Sequence, residues 1–192
     1  ESNQRFLSSA THLDKKNEKK LRIDFSSDGI CSACLYYERK KKIDWKEREK
    51  ELVEVLNKYR RNDGHFDVLI PGSGGKDSRF VSHVMKTKYK MNPLTCTWAP
   101  HMYTNIGWLN FQSWINNGVD NVLFTPNGQI HRKLTRLSFK NLLNPFQPFA
   151  QGQMFFPVKL AMEKKIKLII YGDGQAERGL GGNIHTGASS HT

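Results

Sequence analysis

The most constraining feature of this 192-residue sequence is a glycine-rich loop that directly follows a short apolar run. Residues 66–71 predict a buried strand, and residues 72–78, with the sequence GSGGKDS, lead into an amphipathic helix. Adjacent glycines allow a tight turn that exposes consecutive N–H groups, and the helix directs the positive end of its dipole to the same place. This strand–loop–helix segment therefore predicts an anion-binding site.

The spacing of the loop excludes two common phosphate-binding patterns. The Walker A pattern needs glycine at position 70 and serine or threonine at position 77, where Ile70 and Asp77 stand. The dinucleotide pattern G-x-G-x-x-G also needs glycine at position 77. The six residues of the sequence SGGKDS instead resemble the PP-loop of the ATP pyrophosphatase superfamily, whose members split ATP between the α- and β-phosphates and release pyrophosphate.

The superfamily resemblance implies a set of roles for the loop. ATP and Mg²⁺ are the implied cofactors, and Lys76, Asp77 and Ser78 are the implied catalytic residues. The alternative interpretation is that Lys76 is a solvent-exposed lysine in the first turn of the helix and has no catalytic role. The residues expected to hold the departing pyrophosphate are Ser73, Gly74, Gly75, Lys76, Asp77 and Ser78.

The rest of the sequence alternates between strand and helix patterns. An amphipathic helix is predicted for 44–61, and strands for 66–71, 93–98, 121–125 and 167–171. This alternation predicts an α/β fold with a doubly wound parallel sheet, which the resemblance makes adenine nucleotide alpha-hydrolase-like. We expect an arm and irregular Cys-x-x-Cys appendage over 1–43, an ATP-binding domain that is incomplete at its carboxyl end over 44–178, and a flexible tail over 179–192.

Composition narrows the class of protein. The net charge of +12 suits phosphate-bearing ligands but fits a merely basic protein equally well. The longest uncharged stretches are interrupted by prolines, and the first ten residues do not have the pattern of a signal peptide. Three cysteines suggest reduced thiols and not a disulfide framework. We therefore expect a cytoplasmic protein without a membrane partner.

Further stretches between residues 24 and 174 resemble the N-acetyl sugar amidotransferase family, which makes acetamidino sugars for lipopolysaccharide O antigens and for nonulosonic acids such as pseudaminic acid. The stretches are 29–34, 43–45, 73–78, 92–95, 104–107, 123–128, 132–136 and 171–173. The resemblance implies that the enzyme adenylates the acetamido group of an N-acetyl sugar or sugar nucleotide and that ammonia displaces AMP. It also implies partners: a glutaminase that supplies ammonia, and synthase-like subunits.

Residues after the ends of predicted strands are further candidates for the site, because ligands bind at the carboxyl ends of parallel strands. Trp98 and Gly172 are predicted to contact the nucleotide, and Tyr103, Thr104 and Asp173 the sugar. For Trp98 and Tyr103, an aromatic residue of the hydrophobic core or of the rim of the site is an equally good interpretation. The basic residues Arg132, Lys133 and Arg136 suit either sugar-nucleotide phosphates or a solvated helix face.

The cysteines depart from the family pattern. Relatives carry two Cys-x-x-Cys pairs, which suggests a structural zinc site. Here only Cys31 and Cys34 are present. The earlier pair would fall near Thr11 and Asp14, with His12 between them, and His12 and Asp14 are the residues that would complete a zinc site. We predict a two-thiolate remnant without metal, with Zn²⁺ held by Cys31 and Cys34 as the alternative. Cys96 lies in a predicted strand and is expected to be a buried core thiol.

Two other functions remain open at this stage. A tRNA-modifying PP-loop enzyme, of the thiolase or lysidine synthetase type, would use the +12 charge to contact RNA. The sequence lacks a second Cys-x-x-Cys after the loop and carries the sugar-amidotransferase stretches, so nucleic acid is not the expected partner. The other alternative is a non-catalytic ATP-binding fragment.

Overall fold

The computed structural model describes residues 25–172. The chain divides into two compact units, of which the larger is Arg48–Gly172 and the smaller contains the described residues 25–47. Several expectations fall outside the described residues: the arm up to residue 24 with His12 and Asp14, Asp173, and the tail 179–192. The predicted division of the chain at residues 43 and 178 stays a prediction.

The smaller unit contains a helix where the sequence suggested an irregular appendage. Helix α1 spans Ser32–Lys41, and an antiparallel bridge joins Phe25 and Cys31 just before it. Cys31 is the N-cap residue, and its sulfur accepts a hydrogen bond from the Cys34 N–H. Three basic residues occupy the last turn, where positive charge interacts favourably with the helix dipole. This segment is therefore helical over Ser32–Lys41, and the appendage as a separate domain stays a prediction.

Helix α2 spans Trp45–Tyr59, close to the predicted 44–61. Asp44 caps it, since one carboxylate oxygen accepts hydrogen bonds from the N–H groups of Lys46 and Glu47 at 3.0 and 3.1 Å.

The larger unit is built on a parallel sheet of strands β1 (Val68–Pro71), β2 (Pro93–Trp98) and β3 (Asp120–Phe124), in the order β1-β2-β3. The predicted fourth strand, 167–171, is present only as a parallel bridge on the other side of β1. The Leu69 N–H donates to the Leu168 carbonyl and the Ile170 N–H donates to the Leu69 carbonyl, each at 2.9 Å. Two hydrogen bonds to a single residue make a bridge and not a ladder, so the predicted strand was too long.

Helices cover both faces of this sheet. After β1, the chain forms α3 (Lys76–Thr87), and the later helices are α4 (Asn105–Ile115), α5 (Gly128–Leu142) and α6 (Gln147–Lys164). Because side chains alternate along a strand, Val68 and Ile70 point to one face and Leu69 to the other. The first two pack in a cluster with Leu56 of α2 and Met85 of α3. The other face packs on α6.

The α6 face holds the second core cluster, in which Leu69 meets Leu160, Ala161 and the strand residue Cys96. Cys96 is buried, as expected, and burial raises the pKa of its thiol to about 12. Helix α4 lies on α3, where the buried indole N–H of Trp114 donates to the Ser82 hydroxyl at 2.8 Å. Helix α5 packs on α6. The predicted doubly wound α/β fold is confirmed.

None of the helices within residues 25–172 is long and apolar enough to cross a membrane.

We expect Leu69→Ala to destabilise the larger unit. Leu69 is fully buried at the centre of β1, so truncation leaves a cavity and should cost about 2–5 kcal/mol in the free energy of unfolding. Leu109→Ala is the matched control, because Leu109 on α4 is 65% exposed and should change that free energy by about 0.5 kcal/mol or less. Urea unfolding followed by circular dichroism measures both. Equal losses in the two variants would contradict the assignment of the core.

Candidate functional site

The glycine-rich loop lies at the carboxyl end of β1 and leads straight into α3. The Gly72 N–H donates to the Cys96 carbonyl at 2.9 Å, which ties the start of the loop to β2. Gly75 is the N-cap residue of α3, and no side chain caps this helix end. The first-turn N–H groups of a helix have no partner within the helix. This end of α3 is therefore open to an anion.

Two of the loop glycines are required by close packing. A Cβ atom on Gly72 would overlap the Ser78 side chain and lie 2.9 Å from Cη2 of Trp114. Gly74 has a φ of +83°, and a Cβ there would lie 2.8 Å from the Cα of Phe111 on α4. Gly75 differs, because the nearest atom to a Cβ would be the Ser73 hydroxyl at 3.8 Å. The loop is therefore held against α3 and α4 at positions 72 and 74 and is open at position 75.

The structure brings Gly172 to this loop. A Cβ atom on Gly172 would lie 3.1 Å from the carbonyl carbon of Asp77 and 3.2 Å from the Ser78 nitrogen. The segment that follows the Leu168–Ile170 bridge thus passes directly over the first turn of α3. Sequence reasoning placed Gly172 beside the nucleotide, and the structure places it beside the loop.

The charged side chains of the loop face solvent. Lys76 and Asp77 form an ion pair, with 88% and 56% of their side chains exposed. Exposed pairs contribute little to stability, so both side chains remain available to a ligand. Ser73 is exposed as well. Ser78 is buried, and its hydroxyl donates to the Gly75 carbonyl at 3.3 Å, so this predicted catalytic residue also holds the turn together.

The predicted sugar-binding residues lie around the start of α4. The Tyr103 ring packs against Trp108 at 5.2 Å and Phe111 at 6.3 Å between ring centroids, and its buried hydroxyl has no hydrogen-bond partner within residues 25–172. Burial raises the pKa of that hydroxyl. Thr104 caps α4, because its hydroxyl oxygen accepts from the Gly107 N–H at 3.0 Å. Phe111 packs against the Tyr103 ring, and its backbone lies beside Gly74. Contact of Tyr103 and Thr104 with a sugar stays a prediction.

Trp98 lies on the α6 face of the sheet, and α3 lies on the opposite face. Its ring stacks on Phe124 with 5.0 Å between centroids and lies 6.0 Å from Phe156. Gly152 of α6 approaches the indole so closely that a Cβ there would lie 2.5 Å from the indole nitrogen. The structure thus places Trp98 in an aromatic cluster beside α6 and not on the glycine-rich loop. Its predicted contact with the nucleotide stays a prediction.

A stacked histidine pair beside Trp98 was missed by sequence reasoning. The rings of His101 and His131 are 3.9 Å apart, and the Trp98 ring meets His131 edge-on. The Thr135 hydroxyl donates to the His131 carbonyl and therefore accepts from Nε2 of His101, both at 2.9 Å. Burial, aided by the charge of His101, lowers the pKa of His131. No local motif marks such a pair, because its members come from a loop and from α5.

The basic residues Arg132, Lys133 and Arg136 are exposed on α5. Their positions fit the solvated helix face that the sequence allowed, and contact with sugar-nucleotide phosphates stays a prediction.

The Cys-x-x-Cys pair belongs to the smaller unit. The sulfur atoms of Cys31 and Cys34 lie 3.3 Å apart, and the hydrogen bond between the two thiols raises the pKa of Cys34. Among residues 25–172, no group of three or more His, Cys, Asp or Glu side chains is arranged to hold a metal ion. His12 and Asp14 lie outside the described residues, so zinc at this pair stays a prediction.

Comparisons with known proteins establish the fold and no more. No protein-family model matches the chain. Over 81 residues it is 31% identical to the uncharacterized protein MJ1599 of Methanocaldococcus jannaschii, a match that covers 42% of this chain and 28% of that protein. The structure of NH3-dependent NAD synthetase from Campylobacter jejuni, in complex with the nitrate ion, is similar with a TM-score of 0.54 and 16% identity. That match covers 71% of this chain and 59% of the synthetase.

We expect Gly74→Ala to destabilise the larger unit and Gly75→Ser to leave its stability nearly unchanged. The first places a Cβ against the α4 backbone at a positive φ and should cost about 2 kcal/mol or more. The second adds a favoured N-cap residue in open space and should change the free energy of unfolding by about 0.5 kcal/mol or less. Chemical denaturation measures both. A destabilised Gly75→Ser variant would show that the loop is packed differently.

We expect the larger unit to lose stability as the pH falls below 6.5, the ordinary pKa of histidine. Burial disfavours protonated His131 in the folded state, so the unfolded chain takes up the additional proton and acid favours unfolding. His131→Phe removes this group while keeping a ring against Trp98. The free energy of unfolding should therefore fall less steeply in the variant between about pH 7.5 and about pH 5.5. Identical pH profiles would argue against a depressed pKa.

Proposed function

We propose that this chain binds Mg-ATP through the glycine-rich loop and acts as an ATP-dependent amidotransferase on an N-acetyl sugar or sugar nucleotide. The observation that carries the proposal is the uncapped end of α3, held open at the carboxyl end of β1 by packing at Gly72 and Gly74. The likeness to NAD synthetase extends over most of this chain and supports a common fold for such chemistry. The sugar substrate is supported by the sequence resemblance.

The place of the loop in the sheet favours a nucleotide. The chain adds β2 and β3 on one side of β1 and then returns to the other side, where Leu168–Ile170 bridges Leu69. In open α/β sheets, ligands bind where the strand order reverses, outside the carboxyl ends of the strands. The loop and Gly172 meet at this point.

The residues present fit a phosphate chain with its metal ion. Backbone N–H groups of residues 74–78 would bind phosphate oxygens, because a glycine N-cap leaves them open. The Lys76 ammonium would offset negative charge that develops on the leaving pyrophosphate. The exposed Asp77 carboxylate is a hard oxygen ligand of the kind that Mg²⁺ takes alongside substrate phosphates.

The proposed chemistry turns a poor leaving group into a good one. The acetamido oxygen attacks the α-phosphorus of ATP, pyrophosphate leaves, and that oxygen then carries AMP. Ammonia adds at the amide carbon and expels AMP together with the oxygen, which gives an acetamidino group. The neighbour in the structure comparison is described as NH3-dependent, which supports ammonia as the nucleophile. We propose a glutaminase and synthase-like subunits as the partners that supply it.

The net charge of +12 favours one further candidate, a PP-loop enzyme that modifies tRNA. Such an enzyme would use the same glycine-rich loop to bind ATP, but its substrate would be tRNA instead of a sugar.

We expect AMP and pyrophosphate to form over repeated turnovers only when Mg-ATP, ammonium and an acetamido sugar are all present. Phosphorus NMR with a set of UDP-linked diacetamido sugars measures the products. Asp77→Asn should lower the rate by about 100-fold or more, because a metal-facing charge is lost at the reacting phosphates. Glu54→Gln is the control: it also removes one exposed carboxylate, but on α2, and should leave the rate unchanged.

The alternative products separate the candidate functions. ADP and phosphate would contradict the PP-loop mechanism. ATP binding without turnover with any sugar would indicate a non-catalytic ATP-binding fragment. AMP formation that depends on tRNA, together with salt-sensitive RNA binding, would favour the tRNA-modifying candidate.

A further inference from the structure

We propose that Cys31 and Cys34 form a redox-active pair, which closes reversibly to a disulfide by exchange with a small-molecule disulfide. The two sulfur atoms lie 3.3 Å apart, and neither cysteine is in a disulfide. Both residues belong to the smaller unit, whereas the glycine-rich loop belongs to Arg48–Gly172. The inference is therefore independent of the proposed function.

The distance between the two sulfur atoms favours a bond between them. The sulfur atoms of a disulfide are about 2.05 Å apart, so an approach of roughly 1.2 Å brings this pair to bonding distance. The geometry of a disulfide is specific, and few pairs of cysteines in a folded chain meet it. The spacing of Cys31 and Cys34 thus predicts that the second thiol reacts with the first before it reacts with another molecule.

Backbone hydrogen bonds hold both cysteines in place. An antiparallel bridge joins Cys31 to Phe25, and the Cys31 carbonyl accepts from the Leu35 N–H at 3.0 Å where α1 begins. Cys34 lies in the first turn of that helix. In the unfolded chain this segment is free to move, and closing the bond then costs conformational entropy that folding has already removed. The fold therefore favours the disulfide.

The pair is accessible to a reagent, and the third cysteine is not. Cys34 is exposed and Cys31 is partly exposed, so an incoming disulfide can reach a sulfur atom of the pair. Cys96 is only 1% exposed, in the core of the larger unit. Exchange depends on access to the attacking sulfur. We therefore expect the reaction to be confined to Cys31 and Cys34.

The reaction takes place in two exchange steps, written here for glutathione disulfide. One thiolate of the pair attacks a sulfur atom of glutathione disulfide, one glutathione thiolate leaves, and a mixed disulfide remains on the protein. The second thiolate attacks the protein sulfur of that mixed disulfide, so the Cys31–Cys34 bond forms and the second glutathione leaves. The two thiols lose two electrons and two protons, which convert glutathione disulfide to two molecules of glutathione. Excess glutathione reverses both steps.

The test follows the thiols of the full chain in mixtures of glutathione and glutathione disulfide. Samples are quenched with acid, alkylated and cleaved with trypsin, which yields residues 23–39 as one peptide with both cysteines. We expect this peptide to become lighter by two hydrogen atoms, to return to the dithiol in excess glutathione, and Cys96 to stay reduced throughout. A stable glutathione adduct on either cysteine, or two thiols that do not react, would overturn the proposal.

Single variants and unfolding separate the pair from two independent thiols. Cys31→Ser and Cys34→Ser should each stop at a mixed disulfide with one glutathione, because the second attacking sulfur is missing. In concentrated urea, half-oxidation of the unmodified chain should need about tenfold more glutathione disulfide at the same concentration of glutathione. An equal requirement in the folded and unfolded chain would show that the fold does not create the site, and would also overturn the proposal.

Zinc is the competing occupant of the same two sulfur atoms. Metal analysis of the purified chain, by inductively coupled plasma mass spectrometry, distinguishes the two assignments. We expect no stoichiometric zinc and immediate reaction of both thiols. One zinc ion per chain, with thiols that react only after a chelator has removed it, would overturn the proposal in favour of a structural metal site.

Discussion

The absence of a Cβ atom at Gly72 and Gly74 is the constraint on which the rest of this architecture depends. A Cβ atom at position 72 would clash with Ser78 of α3 and with Trp114 of α4. A Cβ atom at position 74 would clash with the α4 backbone. Trp114 in turn donates to Ser82 of α3. The end of β1 and the two helices therefore pack together around backbone that carries no side chain. The open end of α3 is a product of that packing and not of the loop sequence alone.

Local signals in the sequence were sufficient for much of the fold. The strand before the loop, the loop itself and α3 were predicted because an apolar run, adjacent glycines and helical spacing occur within about twenty residues. The fourth strand was predicted at 167–171 and forms only a bridge, because a ladder depends on a partner from elsewhere in the chain. Helix α1 was missed, since its cap is a cysteine sulfur and not one of the usual oxygen caps.

The candidate site was predictable to a similar extent. The residues of the loop are contiguous, so their proximity follows from the sequence. Gly172 reached the loop because strand ends of a parallel sheet share one edge. The same rule placed Trp98 at that edge but did not identify its face, because the face depends on which helix packs there. The His101–His131 pair and the aromatic cluster around Trp98 required the packing of α5 and α6, which no local pattern encodes.

The two faces of the sheet in the larger unit present different surfaces near the carboxyl ends of the strands. The loop has backbone N–H groups and exposed charges on the α3 side, whereas the α6 side carries the aromatic surface that includes Trp98 and Phe124. The sheet connects them, since the Gly72 N–H bonds the Cys96 carbonyl two residues before Trp98. Side-chain changes on α5 or α6 can therefore alter this aromatic surface without moving the loop, because the loop is held by packing on the opposite face.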